Sequence, residues 1–151
     1  GRLIIGMLRH KSYKQDAYGE FLGTMLRFRR KGFFDKYVTL LDIEGNRSLG
    51  SIHFQEWGKK VVIEYMDKVY EGYLDNATKE WVIDNPEEGE LAFRCPSSKS
   101  NEVEFELNYM EPAVVLATFY VRRQYRLYRY IASLLLVVLL GILGFMVTYL
   151  R

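Results

Sequence analysis

The chain has 151 residues, among them nine Phe, twelve Tyr and two Trp, which is enough for one aromatic-rich core and too apolar for a disordered polypeptide. The net charge is only +2, yet residues 1–31 carry eight Lys and Arg against two acids, residues 32–110 eight against sixteen, and residues 111–151 five against one. That acidic middle is a poor match to nucleic acid, and one cysteine, Cys95, excludes an intrachain disulfide framework and fits a reducing compartment.

The apolar stretch at residues 3–8 is too short for the core of a signal peptide, so membrane insertion from the carboxyl-terminal end is the expectation. Residues 10–16 are polar and read as a loop or exposed arm. Residues 21–30 read as a strand that turns Leu26 and Phe28 inward and Arg27 and Arg29 outward, then presents Arg30 and Lys31 beside Phe33 and Phe34. Clustered cations suit phosphate-bearing ligands and adjacent aromatics suit a membrane interface, so Arg27, Arg29, Arg30 and Lys31 are candidates for anionic headgroup contact. The plainer reading is a solvated edge whose charges oppose strand-to-strand aggregation.

From residue 37 onward, short runs with a period of two follow one another between turn residues. Residues 37–43 end at Glu44-Gly45-Asn46; residues 49–55 alternate Ile52 and Phe54 against polar neighbours; residues 61–66 alternate Val61, Ile63 and Tyr65. Residues 69–74 are read as a continuation of that strand across Asp67-Lys68. Trp81 and Ile83 mark a further strand, stopped at residues 85–89, and Leu91 and Phe93 another. In residues 102–108, Val103, Phe105 and Leu107 alternate with Glu102, Glu104 and Glu106. This alternation belongs to an antiparallel sheet with one wet face, so residues 1–110 are expected to form a mainly β soluble domain, a small antiparallel sandwich or partly open barrel of seven to nine strands.

Residues 131–150 carry no charge and include fourteen large apolar side chains. Twenty residues of helix cover about 30 Å, the thickness of a bilayer's hydrocarbon core, so this segment is expected to be a single transmembrane helix. Arg122, Arg123, Arg126 and Arg129 precede it, interleaved with Tyr120, Tyr125, Tyr128 and Tyr130. Residues 111–130 therefore read as a basic, aromatic juxtamembrane segment whose arginines reach lipid phosphates. Pro112 suits a first helical turn, which makes one unbroken helix over 113–150 the preferred reading, against a final strand at 114–121. Four arginines before the span against one after it place residues 1–129 on the cytoplasmic side. Asn46-Arg47-Ser48 and Asn76-Ala77-Thr78 fit the glycosylation acceptor pattern and favour the opposite, lumenal or extracytoplasmic placement. Gly141 and Gly144 would let a partner helix approach the span closely.

Catalytic and metal-binding patterns are missing from this sequence. His10 and His53 stand far apart with no cysteine cluster nearby, and Cys95 lies between Arg94 and Pro96 without a partner histidine. Residues 42–46 resemble the start of a calcium loop but lack its closing Glu, and there is no phosphate-binding glycine loop or nucleophile elbow. Identical glutamates at 102, 104 and 106 suit a solvated face or a docking surface for a basic partner better than acid–base chemistry. The expectation is a non-enzymatic single-pass membrane protein without cofactor or metal. Its β domain serves as an accessory or docking subunit of a larger membrane protein complex or, alternatively, as a tethered module that recognises anionic lipid.

Overall fold

The computed structural model describes residues 6–11, 16–32, 34–87, 90–96 and 111–150. Nine strands, β1 (Gly6–Lys11), β2 (Asp16–Phe21), β3 (Thr24–Arg30), β4 (Tyr37–Leu41), β5 (Ser48–Gln55), β6 (Lys60–Tyr65), β7 (Lys68–Asp75), β8 (Glu80–Asn85) and β9 (Glu90–Pro96), form one antiparallel sheet in sequential order. A 3-10 turn at Glu56–Gly58 joins β5 to β6, and one helix, α1 (Pro112–Tyr149), follows. Of the two β architectures expected, the partly open barrel is the one present: the sheet curls as a half-barrel around the first half of α1, which packs on β1, β2, β3, β6 and β8.

Period-two alternation sets the inner face. Leu26 and Phe28, Val38 and Leu40, Ile52 and Phe54, Val61 and Ile63, and Trp81 and Ile83 all turn inward and meet Ala113–Ala117, Tyr120, Val121 and Tyr125 of α1. Phe28 stacks on Tyr120 with ring centroids 4.7 Å apart, Trp81 meets Tyr125 edge-on at 5.6 Å, and Phe54 meets Tyr128 edge-on at 6.4 Å. These three pairs step along the helix and fix its depth in the barrel. Gly19 on β2 makes room for the helix, because a Cβ there would stand 2.9 Å from Leu116 Cδ2.

Three sequence expectations change. Residues 6–11 and 16–21, expected in part to be an arm, form the antiparallel pair β1–β2, in which His10 pairs with Ala17 and Lys11 with Asp16. The strand expected over 21–30 is broken at Leu22-Gly23, and β6 does not run on into β7, because the chain reverses at Met66-Asp67. Both are two-residue turns with positive φ at each position, 47° and 79° at the first and 48° and 66° at the second, the backbone whose twist suits an antiparallel hairpin. The alternating segment 102–108 lies outside the described residues.

The helical reading of 113–150 holds. α1 runs unbroken for 38 residues, with Pro112 in its first turn. The β domain therefore has part of its core in the segment expected to be juxtamembrane: Ala113–Thr118, Tyr120–Arg122, Gln124 and Tyr125 are buried inside the fold.

A candidate membrane-facing rim

Below Tyr130, α1 leaves the protein. None of its most apolar stretch is buried by the chain, and the helix is long and apolar enough to cross a membrane. The hydroxyls of Ser133 and Thr148 donate to the carbonyls of Arg129 at 2.6 Å and Gly144 at 2.7 Å, so both are satisfied inside the helix, as hydrocarbon surroundings require.

Antiparallel order assigns each loop to one end of the barrel. The loops at 31–36, 56–59 and 76–79 lie at the end where α1 emerges; the turns at 22–23, 42–47, 66–67 and 86–87 lie at the other, beside the start of α1. Backbone bonds tie the emergent end together: Phe54 N–H donates to Lys36 O at 2.8 Å and Leu74 N–H to Lys59 O at 3.0 Å. The two ends differ in charge. The three described loops at the emergent end carry exposed Lys31, Lys36, Lys59 and Lys79 against Asp35 and Glu56, while the distal turns and Glu111 carry Asp42, Glu44, Asp67, Glu87 and Glu111 against Arg47.

A polar clamp holds this rim to the helix. Arg30 is only 5% exposed. Its Nε donates to the Asp35 carbonyl at 2.7 Å and its Nη1 to Gln124 Oε1 at 3.3 Å, while Nη2 reaches the Asp35 carbonyl and the Tyr128 hydroxyl. The guanidinium carbon also lies 5.4 Å from the ring centres of both Phe54 and Tyr128. Gly58 closes the other side with φ +81°, and a Cβ there would stand 3.3 Å from the Tyr128 ring, a tighter approach than side chains ordinarily make. Deeper in, the Tyr120 hydroxyl is buried with no hydrogen-bond partner among the described residues, and burial pushes its pKa up to about 12.

The residues assigned from sequence to headgroup contact separate in space. Arg30 shares the inward parity of Leu26 and Phe28 and belongs to the clamp, because the alternation runs one residue pair further than the sequence reading allowed. Arg27 and Arg29 point to the outer face, where Arg27 donates to Asp16 at 2.6 Å and Arg29 lies 3.8 Å from the same carboxylate. That hydrogen bond holds the Arg27 pKa above its ordinary value. Arg122 is buried at 5% exposure, Arg126 is half-buried, and Lys31, Arg123 and Arg129 are exposed. Gly141 and Gly144 face open space on the bare part of α1. Among the described residues, no group of three His, Cys, Asp or Glu side chains is placed to hold a metal ion.

Sequence reasoning missed two features of this rim. Gln124 and Tyr128 were not connected with Arg30, and Trp57, 96% exposed, was not singled out, although Trp-Gly-Lys-Lys at a strand break is an unusual place for a tryptophan. Comparison with known protein families, characterised proteins and solved structures finds no match to this chain.

Proposed function

We propose that the chain is a non-enzymatic, single-pass membrane protein whose β domain is a docking subunit held at a fixed pose on the bilayer. The observation that carries this reading is the continuity of α1, which is core helix at Ala113–Tyr125 and bare apolar helix from Ile131 onward, with no hinge between. A flexible tether would serve a module that only needs to be near the membrane. A rigid one serves a surface that must meet a neighbour in register.

The side of α1 left uncovered by the sheet supports a neighbour in the membrane. Exposed Arg123 and half-buried Arg126 lie on it, and Gly141 and Gly144 each follow one of them by eighteen residues, five helical turns, so all four share one face. A partner helix seated on the glycines would pass the two arginines and reach the open side of the barrel. Lysines gathered at the emergent end, in addition to the juxtamembrane arginines, favour a cytoplasmic position for the domain. The lipid-recognition alternative draws no support from Arg27, Arg29 and Arg30, since Arg27 and Arg29 share Asp16 and Arg30 is turned inward.

A short Gly-Ser insert between Tyr130 and Ile131 tests the reading. Membrane flotation of the chain should be unchanged, whereas partners that co-purify with the intact chain should be lost. Full retention of those partners refutes the need for a fixed pose.

A further inference from the structure

We infer that the rim of the barrel itself sits in the lipid headgroup layer, with Trp57 and Phe34 as wedges reaching the acyl boundary beside α1. This inference rests on the apolar half of α1 lying in a bilayer and is independent of the docking role.

The depth follows from the helix. Tyr128 precedes Ile131 by three residues, a rise of about 4.5 Å, and each interfacial layer of a bilayer is about 5–7 Å thick. Whatever is fastened to Tyr128 is therefore level with headgroups. Two loops are fastened to it: Glu56–Gly58, through the close approach of Gly58 to the Tyr128 ring, and residues 31–36, through Arg30, which bridges the Asp35 carbonyl and the Tyr128 hydroxyl. Among its described residues each loop carries a large, exposed aromatic, Trp57 at 96% exposure and Phe34 at 81%.

Such exposure of a tryptophan wastes apolar surface in water, and its backbone adds a further cost. Glu56 and Trp57 hold φ of 45° and 57°, a left-handed conformation that residues with a side chain rarely adopt. Strain of this kind persists where the surroundings fix it and commonly marks a functional contact. Around the two aromatics stand Lys31, Lys36 and Lys59, while Glu56 is drawn aside by an ion pair to Lys60 at 2.7 Å. Indole at the interface flanked by ammonium groups facing phosphate is the composition that membrane–water boundaries select. The occupant of this surface is thus the headgroup and upper acyl region of the bilayer that the chain itself crosses.

The two tryptophans make the test direct, because Trp81 is fully buried and Trp57 fully open to its surroundings. The intact chain carrying Trp81→Phe is reconstituted into liposomes of phosphatidylcholine and phosphatidylglycerol, and flotation first confirms insertion of α1. Emission from Trp57 should be blue-shifted from that of tryptophan in water, quenched by lipids brominated in the upper acyl chain and protected from acrylamide. Water-like emission open to acrylamide overturns the inference, and so does protection from both quenchers, which would mean that protein covers the residue. Should Trp81→Phe fail to fold, wild type and Trp57→Phe are compared instead. The bromolipid-sensitive part of the emission must disappear in Trp57→Phe; if it persists unchanged, the inference fails.

Discussion

Replacing Arg30 by Ala would separate the emergent rim from the helix. The guanidinium serves three acceptors at once, the Asp35 carbonyl, Gln124 Oε1 and the Tyr128 hydroxyl, and fills the space against Phe54. A hydrogen bond to a charged group contributes about 1.5–3 kcal/mol, but the Asp35 carbonyl and Tyr128 are half-open to solvent and would be rehydrated. Only Gln124, buried in the fold, stays unsatisfied, at about 1–3 kcal/mol, and the lost aliphatic stem and ring contacts add about 1 kcal/mol. The expected loss is about 3 kcal/mol. With a urea dependence of about 2 kcal/mol/M, the midpoint should fall by about 1.5 M. Urea titration of the full chain in micelles, in a Trp57→Phe background so that the emission is that of Trp81 against Tyr125, reads this directly. Arg30→Met, which keeps the stem, should lose less. A shift below about 0.3 M for Arg30→Ala would show that the clamp does not hold the rim, and the argument that levels the loops with Tyr128 would weaken with it.

Tyr120→Phe should stabilise the fold by about 1 kcal/mol at neutral pH, since it removes a buried hydroxyl without a partner and keeps the stack on Phe28; destabilisation by more than that amount would show that the hydroxyl is bonded after all. The Tyr120 pKa is raised from 10.0 to about 12, so the unfolded chain ionises first, and wild type should lose stability as pH rises through that interval while Tyr120→Phe is spared this part of the loss. Gly58→Ala introduces a Cβ at φ +81° against the Tyr128 ring, and an unfolding free energy lowered by about 1–2 kcal/mol is expected; an unchanged value would mean that the turn relocates freely.

Much of the architecture was legible because burial follows parity. β4, β5 and β6 alternate more open and buried side chains over most of their length, and the uncharged run from Ile131 has the length of a bilayer and no cover from the protein. β1 was hidden by its position: it lies at the margin of the described sheet, and margins are rich in charge, so His10 and Lys11 looked like the start of an arm. The turns Leu22-Gly23 and Met66-Asp67 escaped notice because Leu and Met replace the Asn or Gly that ordinarily announces left-handed backbone. Arg30 was misplaced for a chemical reason, since a cation next to Lys31 looks solvated until its parity with Leu26 and Phe28 is counted. The collar of arginines and tyrosines was read as one membrane-facing group, but its upper half, including Tyr120, Arg122 and Tyr125, is enclosed by the barrel, which no local pattern in the helix reveals.

An unbroken shaft between core and lipid has a rotational consequence. Between Tyr128, the last residue fastened to the rim, and Ile131, the start of the apolar run, every added or deleted residue would swing the barrel by about 100° around the membrane normal while raising or lowering it by only about 1.5 Å. The compass bearing of the domain relative to its neighbours in the plane is consequently far more sensitive to the length of this junction than its height is, and a single-codon change there would re-aim the whole sheet without altering one contact inside it.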